Sequence, residues 1–154
     1  GRASGVGDLQ RLAAEHRGCD EVFAAAEDAA NEGDLSRCRA DFQEFCKVME
    51  QHFRREEEVL FPAFEQASGN TMGPTRVMAL EHRQMRETLT DMASALADGD
   101  LENFLGQADG LLILLQQHNI KEEQMLYPMC DRFLGAAAGS VIEAMQYRPA
   151  GGLS

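Results

Sequence analysis

Tyrosine, valine, isoleucine and threonine are scarce in this sequence, whereas alanine, leucine, glutamate, glutamine and methionine are common. The scarce residue types favour β-strands and the common ones favour helices. A chain of 154 residues has the length of one domain and can bury most of its unfolded surface around a single core. The composition therefore predicts one all-α domain.

Positive charge and long apolar runs are also lacking. The formal net charge is −12 and the lysines and arginines form no cluster, which disfavours binding to nucleic acid or to an anionic membrane surface. The longest apolar run, Leu111 to Leu115, is far too short to span a bilayer. The N-terminus has no basic segment followed by an apolar one, the pattern of a secretory leader. We therefore expect no nucleic-acid partner, no membrane association and a cytoplasmic location.

The four cysteines include no C-x-x-C pair, which excludes a zinc knuckle and a thioredoxin-type motif. Free thiols suit a reducing cytoplasm, and small cysteine side chains commonly fill helical cores. We therefore interpret Cys19, Cys38, Cys46 and Cys130 mainly as core or helix-surface residues.

An internal repeat with an offset of 66 residues runs through the chain, because Glu15-His16-Arg17 recurs as Glu81-His82-Arg83. The same offset relates Gly33-Asp34-Leu35 to Gly99-Asp100-Leu101, His52 to His118, Glu56-Glu57 to Glu122-Glu123, and Leu60-Phe61-Pro62 to Leu126-Tyr127-Pro128. The chain therefore consists of two copies of one helical hairpin.

Turn residues between periodic segments predict helices near 7–31, 34–67, 74–97 and 100–134, and allow a short C-terminal helix at 139–147. Connections this short make neighbouring helices antiparallel, so we expect an up-down-up-down four-helix bundle of two repeated hairpins. The domain should span residues 8–147, with flexible termini at 1–7 and 148–154. Pro62 and Pro128 should kink or stop the helices that contain them.

Each predicted long helix has one row of mostly apolar residues at alternating spacings of three and four, which we call its core seam. The four seams are Leu9, Leu12, His16, Cys19, Phe23, Ala26 and Ala30; Phe42, Phe45, Met49, His52, Glu56, Val59 and Ala63; Thr75, Met78, His82, Met85, Leu89, Met92 and Leu96; and Ala108, Leu111, Leu115, His118, Glu122, Met125 and Met129. Every histidine of the chain falls on a seam.

Residues four apart on a helix point the same way, so His52 with Glu56, and His118 with Glu122, should enter the core side by side. A single core histidine is more often hydrogen-bonded than bound to metal. Four imidazoles and two carboxylates in one apolar core are costly unless cations bind them. The donor set suits iron, manganese or zinc, and two bridging carboxylates would make the site dinuclear with open positions. The predicted metal ligands are His16, His52, Glu56, His82, His118 and Glu122.

These residues resemble the hemerythrin-like, or HHE cation-binding, domains, which are four-helix bundles with a non-haem di-iron centre. The resemblance covers residues 8–134. It is carried by His16, by His52-Phe-Arg-Arg-Glu56 with Leu-Phe-Pro following, by Glu81-His82, and by His118-Asn-Ile-Lys-Glu122 with Leu-Tyr-Pro following. It implies two irons bridged by Glu56 and Glu122, with an oxo or hydroxo bridge between them.

The oxygen-carrying hemerythrins use five histidines, two of them four apart in the third helix. Here Met78 and Arg86 stand four residues from His82. The set of four histidines and two glutamates is more similar to the branch with bacterial iron-centre repair and nitric-oxide-binding di-iron proteins. The repair proteins carry an N-terminal cysteine pair that this sequence lacks. Four histidines should also leave an open position on each iron.

Residues next to the predicted ligands give further expectations. Glu15 and Glu81 precede histidines and should face solvent or hydrogen-bond to a ligand rather than bind metal. Asp20 and Arg86, which the repeat superposes, should pair across the bundle. Cys19 lies one turn from His16 and should serve as core filler.

The main functional hypothesis is a module that binds or senses a small diatomic molecule, nitric oxide or dioxygen, at the irons. The alternatives are a di-iron redox enzyme, such as a peroxidase or nitric oxide reductase, and iron storage or donation for iron-centre repair. Apart from the predicted ligands, the sequence reveals neither an acid/base pair nor a substrate cleft, which favours binding over elaborate catalysis.

Overall fold

In the computed structural model of the chain, the backbone is described for residues 5–146 and the side chains for residues 11–146. Every regular element in this part is helical, so the prediction of an all-α chain is confirmed. None of its helices is both long and apolar enough to cross a membrane. The predicted flexible termini fall largely outside the described residues, and Gly5 already begins a helix.

Four long helices and one short helix form the bundle. They are α1 (Gly5–Asn31); α2 (Leu35–Arg55, a π-helical turn at Glu56–Leu60, then Phe61–Ser68); α3 (Pro74–Ala97); α4 (Leu101–Lys121, a π-helical turn at Glu122–Leu126, then Tyr127–Leu134); and, after a 3-10 turn at Gly135–Ala137, α5 (Ala138–Gln146). These bounds agree with the predicted helices to within two residues.

The repeat reappears in the turns that begin α2 and α4. The side chain of Asp34 accepts a hydrogen bond from the Arg37 backbone N–H at 3.1 Å, and Asp100 accepts one from Asn103 at 3.0 Å. Such caps satisfy backbone donors that a helix start leaves free. Gly33 precedes the first cap with a φ of +76°, a left-handed conformation that glycine adopts without a Cβ clash. The sequence therefore specifies where each hairpin turns.

The core consists of two apolar clusters with the histidines between them. Helix α1 packs mainly on α2, and α3 on α4, while α1 also contacts α4 and α2 contacts α3. One cluster is built around aromatic contacts, with the ring centroids of Phe23 and Phe45 at 4.9 Å and those of Phe42 and Phe104 at 5.2 Å. The other cluster lies beyond the histidines and includes Ile142 of α5. The metal-ligand candidates thus occupy an apolar interior.

The π-helical turns in α2 and α4 bear on the predictions made for the prolines and for the core seams. Pro62 and Pro128 do not stop the helices, because the wider turns ahead of them use i→i−5 bonds, such as Phe61 N–H to the Glu56 carbonyl. Each π-helical turn also contains one residue more than an α-helical turn. The buried positions that follow it are therefore shifted by one residue toward the C-terminus. The predicted seam members Val59, Ala63, Met125 and Met129 lie outside the fully buried set, and Leu60, Phe64, Leu126 and Cys130 are buried instead.

Candidate metal centre

All six predicted ligands are buried in one layer of the bundle. His82, Glu56 and Glu122 have no exposed surface, and the other three histidines are at most 4% exposed. Each glutamate begins a π-helical turn, at Glu56 in α2 and at Glu122 in α4. π-Helical turns often occur at functional sites, where they change the direction of a side chain.

The six residues form two groups that could each hold a metal ion. One group is His16, His52, Glu56 and Glu122, and the other is Glu56, His82, His118 and Glu122; the donor atoms within each lie within 4.8 Å of one another. We call these groups position A and position B. The repeat exchanges them, and both carboxylates belong to both.

Each carboxylate directs one oxygen to each position. Glu56 Oε2 lies 3.2 Å from His52 Nε2, and Glu56 Oε1 lies 3.0 Å from His82 Nε2. Glu122 Oε1 lies 2.9 Å from His16 Nε2, and Glu122 Oε2 lies 3.1 Å from His118 Nε2. Two carboxylates in this arrangement have the donor atoms needed to bridge two cations.

Most of these donor atoms lack a hydrogen bond despite the short distances. The unpaired atoms are His52 Nε2, His82 Nε2, His118 Nε2, Glu56 Oε1 and Glu122 Oε2. Buried polar atoms without partners destabilise the folded state and are rare in native proteins. Imidazole nitrogens and carboxylate oxygens converging without partners are the expected geometry of first-row metal ligands, so the residues fit the predicted ions.

A ring of four glutamates holds the other nitrogen of each histidine. The Nδ1 distances are 2.7 Å for His16 to Glu123, 3.2 Å for His52 to Glu15, 2.6 Å for His82 to Glu57, and 2.8 Å for His118 to Glu81. An ionised carboxylate only accepts, so each Nδ1 carries a hydrogen and each Nε2 faces the centre, where it can bind a metal ion in its deprotonated form. Every histidine is thereby oriented by a neighbouring helix.

This ring confirms that Glu15 and Glu81 hydrogen-bond to predicted ligands. The matching roles of Glu57 and Glu123 were missed by sequence reasoning. Both directly follow a predicted ligand and are related by the repeat, a signal that was present in the two Glu-Glu pairs. Lys121 also contacts Glu81, so that carboxylate is held from two sides.

The buried histidines and glutamates of the site shift each other's pKa values. Burial alone would lower the pKa of His82, but its contacts with Glu122, Glu56 and Glu57 outweigh burial and raise that pKa to about 10. Burial would raise the pKa of Glu122, yet the charge of His118 and the surrounding hydrogen bonds hold it well below its usual range. The imidazoles and carboxylates therefore favour each other's charged forms.

Tyr127 is a site residue that sequence reasoning did not identify. Its buried hydroxyl donates to Glu56 Oε2 at 2.5 Å and also lies 3.0 Å from Glu122 Oε1 and 3.3 Å from His16 Nε2. Burial and the two carboxylates raise the pKa of Tyr127 well above its ordinary value. Its repeat counterpart, Phe61, stacks on His82 with ring centroids 5.6 Å apart and has no hydroxyl.

The predicted pair of Asp20 with Arg86 is wrong. The Arg86 guanidinium binds both oxygens of Glu50, at 2.9 and 3.1 Å, and both oxygens of Glu57, at the same two distances. These partners lie on α2, beside Arg86 on α3, and they engage all three nitrogens of the guanidinium. Arg86 therefore supports the ring through Glu57.

A cleft of about 380 Å³ between α1 and α2 reaches the edge of the histidine layer. Its lining includes Glu15, Cys19, Val48 and His52. Cys19 is 5% exposed and belongs to the apolar core, in agreement with its predicted role as filler. The cleft thus borders His52, one of the candidate ligands of position A.

The fold and site define an all-helical bundle with a buried pair of candidate metal-binding groups made of histidine and glutamate. The family model of the hemerythrin HHE cation-binding domain matches residues 8–130. The chain therefore belongs to the hemerythrin HHE cation-binding domain family, which makes these groups candidate iron ligands. Comparisons with curated proteins and with solved structures gave no significant match.

Proposed function

We propose that this protein holds two non-haem irons, one at position A and one at position B, and uses them to bind or sense nitric oxide or dioxygen. His16 and His52 would be the terminal ligands at A, His82 and His118 those at B, and Glu56 and Glu122 the bridges. An oxo or hydroxo group between the ions completes the proposed centre. The irons would supply the affinity for a diatomic ligand.

The observation that carries this proposal is the division of each buried carboxylate between the two histidine pairs. Glu56 has one oxygen near His52 and the other near His82, at 3.2 and 3.0 Å. A single ion would leave half of these donors unpaired in an apolar core, which is costly. Two ions use every donor.

The helix directions and the location belong to the same proposal. We propose that the long helices run up-down-up-down within one domain at residues 8–147. Short turns join α1 to α2 and α3 to α4, and His52 of α2 meets Glu15 of α1, far from their connecting turn, which supports this arrangement. The free state of all four cysteines suits the proposed cytoplasmic location.

Metal analysis tests the centre. We expect about two irons per chain, since each of the two positions has four protein donors. E56Q and E122Q each remove a bridge and should lower iron content far more than E57Q and E123Q, which alter only the Nδ1 partners of histidines. Equal losses from the two pairs, or a metal-free bundle of full stability, would contradict the proposal.

Gas binding tests the function. We expect the reduced protein to oxidise rapidly in air and, without air, to retain nitric oxide durably, because four histidines leave more open iron positions than the five of oxygen carriers. Visible spectra recorded before and after argon sparging measure both. A coloured dioxygen complex that lasts for hours and reverses on sparging would instead identify an oxygen carrier, and turnover of added peroxide would favour the redox-enzyme alternative.

A further inference from the structure

We propose that Tyr127 is a seventh protein ligand and that it binds only the ion at position A. This inference rests on the proposed di-iron centre. It adds a chemical difference between the two metal positions, which the repeat by itself would make equivalent. The two positions then differ chemically, with one phenolate oxygen at A and none at B.

The placement of the Tyr127 hydroxyl matches that of a ligand atom at position A. It lies 2.5 Å from Glu56 Oε2, 3.0 Å from Glu122 Oε1 and 3.3 Å from His16 Nε2. These are three of the four donor atoms of A. Ligands about 2.1 Å from an octahedral first-row ion lie about 3 Å from each other when adjacent. The hydroxyl therefore stands where an adjacent ligand of that ion would stand.

The same hydroxyl is on the A side of both carboxylates. The B-side oxygens are Glu56 Oε1, near His82, and Glu122 Oε2, near His118, and neither has a hydrogen-bond partner. Of the four carboxylate oxygens, the Tyr127 hydroxyl therefore contacts only the two that belong to position A.

The repeat provides an internal comparison. Phe61 occupies the position of Tyr127 in the other half and stacks on His82 much as Tyr127 stacks on His16, with centroid distances of 5.6 and 5.9 Å. Both residues follow the last residue of a π-helical turn and precede a proline. Each half of the chain thus places an aromatic ring at the same position beside a histidine, and the two rings differ only by the hydroxyl oxygen of Tyr127.

Tyrosine oxygen is an established kind of iron ligand in proteins. Ferric iron favours an anionic oxygen donor, and binding of a metal displaces the proton from its ligand. The proton that Tyr127 now directs to Glu56 would be released to solvent as the ion binds. One of the two expected open positions would then be filled, leaving position B as the site for a diatomic ligand.

Visible absorption and resonance Raman spectra of the ferric protein, read with iron analysis of the same sample, test this inference. Iron-bound phenolate has a charge-transfer band in the visible and characteristic ring vibrations. We expect both signals in the wild-type protein, complete loss of both in Y127F with two irons retained, and no change in Y147F. The chain has only two tyrosines, so Y147F is the matched control.

The repeat supplies a second variant, F61Y, which places a phenol at position B. We expect the band of F61Y to be about twice as intense as that of the wild type, and the double variant Y127F/F61Y to have the wild-type intensity. Should Y127F fail to fold, Y147F decides alone, because Tyr127 is then the sole tyrosine.

Two irons without a phenolate signal in the wild type would overturn this inference and leave the proposed di-iron centre intact. A signal that survives in Y127F would overturn it as well. Failure of the wild type to bind iron would instead refute the di-iron proposal, and this inference with it. Metal content and spectrum together separate these cases.

Discussion

His82 donates its Nδ1 hydrogen to Oε2 of Glu57 across 2.6 Å. The same oxygen accepts a hydrogen bond from Arg86 at 2.9 Å. The carboxylate is therefore fixed on two sides before it orients the imidazole. Glu57 directly follows the bridging candidate Glu56, so one π-helical turn supplies both a donor to the centre and a support for a histidine from another helix.

We predict that E57A lowers iron affinity by about 10- to 100-fold, the usual effect of removing a carboxylate that orients a metal-bound histidine. Competition with a chelator of known affinity measures the change. E58A is the control, because Glu58 is exposed and pairs with Arg54 on the helix surface at 2.7 Å. Equal affinities of E57A and E58A would show that Glu57 does not orient His82.

Because Arg86 forms ion pairs with Glu50 and Glu57 and not with Asp20, substitutions of Arg86 and of Asp20 should change the free energy of unfolding by different amounts. R86M removes contacts with Glu50 and Glu57 and should lower the free energy of unfolding of the metal-free protein by about 1 kcal/mol, a modest value because these groups are partly exposed. D20N should change it by less than about 0.5 kcal/mol. Urea denaturation measures both, and a larger effect from D20N would restore the discarded pair.

The stability of the metal-free protein should fall as the pH rises above neutrality. The pKa values of His16 and His52 are raised in the fold, and that of His82 is raised to about 10, so above a pH of about 6.5 the folded state keeps protons that the unfolded chain has released. The loss should approach about 1.4 kcal/mol per pH unit for each group. Urea denaturation at pH 6, 7.5 and 9 tests the sign.

Two further results constrain that pH prediction. Glu122 has a lowered pKa, so its contribution is present above its unfolded value and is lost in acid, which places maximal stability on the mildly acidic side of neutrality. H82Q should show a shallower decline than the wild type, because one raised pKa is removed. Stability that increases from pH 6 to pH 9 would contradict the charge assignment.

The shift of the core seam in α4 predicts that substitutions at the adjacent residues Met125 and Leu126 change stability by different amounts. L126A should destabilise the protein by about 2–5 kcal/mol, because Leu126 is fully buried and its truncation leaves a cavity. M125A should change stability by about 0.5 kcal/mol or less, since Met125 is 55% exposed. Thermal unfolding of the two variants under identical metal-free conditions measures the difference. The reverse order would mean that the regular heptad seam continues through the turn.

The sequence by itself determined the helices, the repeat and the grouping of the six ligand candidates. Helical periodicity is local, so a histidine and a glutamate four residues apart must share a face, as His52 and Glu56 do. Asp34 and Gly33 likewise define a turn through their own backbone chemistry. These features depend on residues close together in the chain.

Tertiary structure decided which residues are buried after the π-helical turns and which side chains meet between helices. Both depend on helix register and on the rotation of one helix against another. Regular periodicity placed Met125 in the seam, but the π-helical turn adds a residue and buries Leu126 instead. Sequence spacing could not select Glu57 over Asp20 as a partner of Arg86, because that choice depends on the distance between side chains of different helices. For the same reason the Tyr127 hydroxyl became recognisable as a site group only when packing placed it among donors from α1, α2 and α4.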